Sequence, residues 1–141
     1  MCTLLTLNIC LMCRTQELWL NNTKIGDAGL TALAKAVESG ALAQLTYLHL
    51  ERNQIGDAGL IALAEAIKPT ADNASGALAS LKELNLAHNR IGDAGLNALA
   101  EAIKPTANNA SGALASLKIV DLDGNPGNPE PVKQAMRARE K

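Results

Sequence analysis

The chain contains one block of sequence twice. Residues 55–80 and 91–116 are identical except at Ile61/Asn97 and Asp72/Asn108, and both blocks open on IGDAGL, which occurs a third time at Ile25–Leu30. Upstream of each copy the sequence drifts, from ELWLNNTK to YLHLERNQ to ELNLAHNR. Leu45, Leu81 and Leu117 open units spaced by 36 residues, and an earlier unit runs 30 residues from Thr15. Self-similarity at such a period means stacked supersecondary units, each too thin to bury its apolar face without a neighbour.

Each unit has two halves of different period. The first reads LxxLxLxxN at Leu45, Leu48, Leu50, Asn53, at Leu81, Leu84, Leu86, Asn89, and with Val120 at Leu117, Leu122, Asn125. Alternation around LxL predicts a short strand with every second side chain buried. The closing Asn carries both donors and acceptors and is expected to bond the backbone of the adjacent turn. Thr23 replaces it in the first unit, which should be the least regular. In the second half, Leu60, Leu63, Ala64 and Ile67 fall at i, i+3, i+4 and i+7, as do Leu30, Leu33, Ala34, Val37 and Leu96, Leu99, Ala100, Ile103. That is one face of a helix turned inward. Pro69 and Pro105 end two of these helices, and KPTADNASG and KPTANNASG follow as longer return loops than the VESG turn of the first unit. Successive strands separated by helices should be parallel neighbours.

IGDAGL reads as the corner between the halves. Ile25, Ile55 and Ile91 should be buried, the next Gly should permit a tight turn, and Asp27, Asp57 and Asp93 should cap their own helices. A phosphate-gripping loop is disfavoured, since GDAG lacks the Lys and Ser/Thr of such loops and its Asp would repel the anion. DLDGNP at Asp121–Pro126 begins like a calcium loop but lacks Gly at Pro126 and an acid at Val132, so a fourth strand is expected there.

These LxxLxLxxN strands and the IGDAGLxALAxAI helices behind them resemble leucine-rich repeat proteins of the ribonuclease-inhibitor-like subclass, over about Arg14 to Met136. The resemblance implies an α/β, right-handed leucine-rich repeat solenoid, a short horseshoe arc with parallel strands on the concave face and helices on the convex face. It also implies a non-catalytic module that binds a protein through the concave face. Two alternatives come with it. Nucleotide-binding immune receptors end in similar repeats, so the chain could be a fragment of such a sensor; and the Ran GTPase-activating protein supplies an Arg from a strand-proximal loop, a rim position comparable to Arg52 and Arg90.

Composition narrows the partners. A formal net charge of -1 gives no surplus of cations for nucleic acid, and no stretch is long enough to span a membrane. Cys2, Cys10 and Cys13 all precede the repeats, so no disulfide framework holds the body. CLMC lacks the second ligand pair of a structural zinc site. No cofactor is implied, and reduced thiols suggest a cytoplasmic setting. Residues 1–14 are read as an apolar N-terminal cap or a degenerate partial repeat, and 15–141 as the repeat domain, its last unit from 117 a C-terminal cap. Glycosylation patterns at Asn21, Asn73 and Asn109 would matter only on a secretory route.

The strand positions between the buried leucines should face the concave surface. They are Glu17, Trp19 and Asn21; Tyr47, His49 and Glu51; Glu83, Asn85 and Ala87; and Ile119, Asp121 and Asp123. Asn22, Arg52 and His88 follow at the rim. The only Trp and only Tyr of the chain are in this set, and strand register would bring Trp19 beside His49 with Tyr47 diagonal. Trp19 is open to two readings, a binding anchor or a residue packed under the N-terminal segment. Glu17, Glu51, Glu83, Asp121 and Asp123 make the face acidic and suited to a basic protein surface. No nucleophile and base stand together, so no enzyme is expected.

Overall fold

A computed structural model describes residues 16–40, 42–68, 78–105 and 113–139. The order is β1 (Glu17–Trp19), α1 (Gly26–Glu38), β2 (Tyr47–His49), α2 (Asp57–Ile67), β3 (Glu83–Asn85), α3 (Asp93–Ile103), β4 (Ile119–Asp121) and α4 (Glu130–Arg139). The four strands form one parallel sheet in the order β1-β2-β3-β4. Each helix packs on the helix of the next layer. The molecule is an α/β leucine-rich solenoid arc in which every layer touches mainly its neighbours.

The alternation read from LxL holds. Leu18, Leu48, Leu84 and Val120 are register partners, and Leu48 and Leu50, like Leu84 and Leu86, are buried against the helices. The helix stripes from Leu30, Leu60 and Leu96 face the same core. Full burial of each such side chain is worth about 1.5–3 kcal/mol relative to exposure. Lys104, directly before Pro105, has φ -66 and ψ 135 and ends α3, as a following proline imposes. Pro69, both long return loops, Asn73, Asn109, the three cysteines and the N-terminal segment lie outside the described residues.

The closing asparagines form a ladder between layers. Asn89 Oδ1 accepts the N–H groups of Asn53 (2.8 Å) and Ile55 (3.1 Å) in the preceding layer. Its Nδ2 donates to the carbonyls of Leu50 and Leu86, both at 3.0 Å. Asn53 makes the equivalent bonds to the layer before it, and Asn125 makes all of them except one from the Asn89 N–H. Thr23 reproduces only part of this, with Oγ1 donating to Leu20 O at 2.7 Å. The first unit is less regular in other ways: Ile25 is only half-buried whereas Ile55 and Ile91 are fully buried.

Two expectations for IGDAGL require correction. The Asp side chains do not cap their own helices, which carry no side-chain cap bond. Each reaches into the following layer instead. Asp27 Oδ1 accepts Gly56 N–H (2.8 Å) and Gly59 N–H (2.9 Å), and Asp57 Oδ1 accepts Gly92 N–H and Gly95 N–H, both at 2.8 Å. An Asp at the third position of one corner thus satisfies free amides at the start of the next helix. Nor does the first Gly turn through the left-handed region in every copy: Gly26 has φ +61, but Gly56 and Gly92 have φ -107 and -97. The second Gly is the one required by space. A Cβ on Gly59 would lie 2.6 Å from Asp27 Oδ1, and one on Gly95 would lie 2.6 Å from Asp57 Oδ1.

The interlayer caps give a ranked expectation. Asp57→Ala removes two bonds from half-buried partners and should cost about 1–2 kcal/mol. Exposed Asp93 makes one such bond, to Asn128 N–H at 2.7 Å, and Asp93→Ala should cost less than that. Urea unfolding of the two variants checks the order; equal losses would contradict it.

Candidate functional site

The face of the sheet away from the helices is built by the odd positions of the strands. Register sets Glu17, Tyr47, Glu83 and Ile119 in one row and Trp19, His49, Asn85 and Asp121 in the next. Backbone pairing continues past the strands, with Asn22 N–H donating to Glu51 O and Arg52 N–H to Ala87 O, both at 3.0 Å. Asn21, Glu51, Ala87 and Asp123 therefore extend the face as a third row.

Trp19 and His49 meet as register partners and stack, with ring centroids 3.9 Å apart and planes 11° from parallel. The Trp19 indole N–H donates to Glu17 Oε2 at 3.0 Å, which orients the ring upright on the sheet. Trp19 remains 59% exposed while the His49 beneath it is only 8% exposed. The aromatic patch is therefore narrower than alternation alone suggests: Trp19 is its exposed member, Tyr47 is half-buried and His49 is a buried support. Glu51 lies beside this stack, its Oε2 3.8 Å from His49 Nδ1 and buried without a hydrogen-bond donor. Glu17, Trp19, Tyr47, His49 and Glu51 thus come together on two adjacent strands.

A family model described as Leucine Rich repeat matches residues 16–34, 43–64 and 77–100. These segments are similar to leucine-rich repeats. They coincide with the first three strand-and-helix layers, and leucine-rich repeats generally mediate protein–protein interaction. A comparison with curated proteins gave no match.

The remaining site residues lie further along the sheet and are more constrained. Asn85 Oδ1 accepts Ala87 N–H at 3.0 Å, and Asp121 Oδ1 accepts Asp123 N–H at 3.1 Å, so both side chains fold back on their own turns. Glu83 is half-buried and Asp123 exposed. With strands about 4.8 Å apart, the Asp121 end of the row stands roughly 14 Å from Trp19, so the acidic groups form a spread field. Asn22, Arg52, His88 and Gly124 occupy one position in successive layers, all with positive φ of 57, 59, 55 and 75. There the chain leaves the sheet, which puts Arg52 on the rim rather than the face. Asn21 is exposed beside it.

Among the described residues, no group of three or more His, Cys, Asp or Glu is placed to hold a metal. No helix among them is long and apolar enough to cross a membrane. DLDGNP forms the end of β4 and the turn after it.

Trp19 is exposed, so its loss should spare the fold. Trp19→Ala should lower stability by about 1 kcal/mol or less, since it removes one ring stack and little buried area. Thermal unfolding checks this; a loss of several kcal/mol would mean that Trp19 is part of the scaffold.

Proposed function

We propose that this chain is a non-catalytic protein-binding module that engages its partner through the concave strand face, with Trp19 as anchor. The observation that carries the reading is the 59% exposure of an indole already held in place by His49 and Glu17. A large amphipathic ring fixed before binding loses little conformational freedom on contact and gains the area it buries. Tyr47 extends the contact, and Asn21, Asn85 and Arg52 offer hydrogen bonds at its border.

The proposed partner presents a basic surface, because Glu17, Glu51, Glu83, Asp121 and Asp123 all belong to the face. A cytoplasmic setting accords with the lack of any Cys after Cys13. In a binding titration with a partner captured by the wild-type chain, Trp19→Ala should weaken affinity by about 2 kcal/mol, or roughly thirtyfold. Unchanged affinity in a folded variant would remove Trp19 from the interface.

A further inference from the structure

A second feature lies at the other end of the sheet, in residues outside the partner-binding set. A groove of about 540 Å³ opens beside the turn that leads into β4. Lys82, Lys118 and Arg139 line it, together with Ser116, Leu117 and Met136, and no described carboxylate does.

The two lysines hold the same position in adjacent layers, joined by the Lys118 N–H to the Lys82 carbonyl at 2.8 Å. Neighbouring strands put such side chains about 5 Å apart at their bases, where like charges repel. Elsewhere Lys68, Lys104 and Lys133 each pair with a Glu three residues earlier on their own helix. Among the described residues Lys82 and Lys118 have no such ion pair. Arg139 is immobilised: one guanidinium nitrogen donates to the Leu114 carbonyl, and the other contacts Met136 Sδ at 3.8 Å. A guanidinium has five N–H donors, so several are left over. Burial lowers the Arg139 pKa from its ordinary value, because desolvation disfavours the charged form. Leu117 and Met136 give the groove an apolar wall.

We propose that this groove binds a phosphate monoester, held between Lys82, Lys118 and Arg139. Three cations exceed what one carboxylate can balance, whereas a phosphate monoester carries a charge near -2 and three acceptor oxygens. Arg139 supplies fixed donors, the lysines adjustable ones and Ser116 a hydroxyl donor.

The test is an amide chemical-shift titration of the isotope-labelled full chain with sodium phosphate, against sodium acetate at matched ionic strength. Saturable shifts confined to Lys82, Ser116–Ile119 and Arg139, with a dissociation constant on the order of 1 mM, are expected for phosphate alone. The exposed pair Lys82→Gln/Lys118→Gln should weaken binding by about tenfold or more. Trp19→Ala should leave phosphate binding unchanged. O-phosphoserine and vesicles containing phosphatidic acid distinguish a soluble phosphoester from a lipid headgroup as the source, and binding of either supports the site. Shifts that do not saturate, equal shifts with acetate, or no effect of the double lysine variant would overturn it.

Discussion

Replacing Asn89 by Leu should destabilise the protein by about 3–5 kcal/mol, although the change is near-isosteric. The side chain is 6% exposed and its oxygen is the acceptor for two backbone N–H groups of the preceding layer, those of Asn53 and Ile55. Leucine fills the same volume but accepts nothing. Both amides would be left buried without a partner, at about 1–3 kcal/mol each. The carbonyls of Leu50 and Leu86 lose less, because Asn53 and Asn125 still donate to them. Chemical unfolding measures the loss. A change below 1 kcal/mol would mean that the layers are joined by apolar packing alone.

Gly95→Ala should also destabilise, by about 2–3 kcal/mol, and here the sign itself is informative. Gly95 sits within α3, where helix propensity alone would make alanine more stable by about 1 kcal/mol. Against that, its Cβ would come within 2.6 Å of Asp57 Oδ1 and 3.1 Å of the Asp57 Cα in the layer before. The carboxylate cannot retreat without giving up its bonds to Gly92 and Gly95. Removing the carboxylate first should soften the clash. In a double-mutant cycle, Asp57→Ala and Gly95→Ala together should cost about 1 kcal/mol less than the sum of the two alone. Strict additivity, or a stabilising Gly95→Ala, would contradict an Asp packed against Gly across the layers.

Much of the scaffold was legible because its determinants lie within one unit. LxL alternation assigned the inward column of Leu18, Leu48, Leu84 and Val120, and strand register across the 30-residue first unit placed Trp19 against His49. The role of Asp57 was not legible, because an Asp at a helix start looks the same whether it caps its own helix or the next. Only the stacking distance brings it to Gly92 and Gly95, 35 and 38 residues on. The burial of His49 was missed for a related reason: alternation says which face a side chain takes, not whether a larger neighbour will cover it. The groove of Lys82, Lys118 and Arg139 joins two strands to the last helix, so nothing within a single unit signals it beyond the repeated LK at Leu81 and Leu117.

The near-identity of the two central blocks permits a direct measurement of where function lies. Exchanging residues 55–80 with 91–116 moves both corners and both helices yet alters only Ile61, Asp72, Asn97 and Asn108. Exchanging residues 45–53 with 81–89 keeps every Leu and Asn of the scaffold but relocates Tyr47, His49 and Glu51 away from Trp19. The measurement is affinity for a partner captured by the wild-type chain, with both exchanged proteins first shown to unfold cooperatively. Binding retained after the block exchange and lost after the strand exchange is the expected result. Binding that survives the strand exchange, or disappears with the block exchange, would contradict a function carried by the variable strand face.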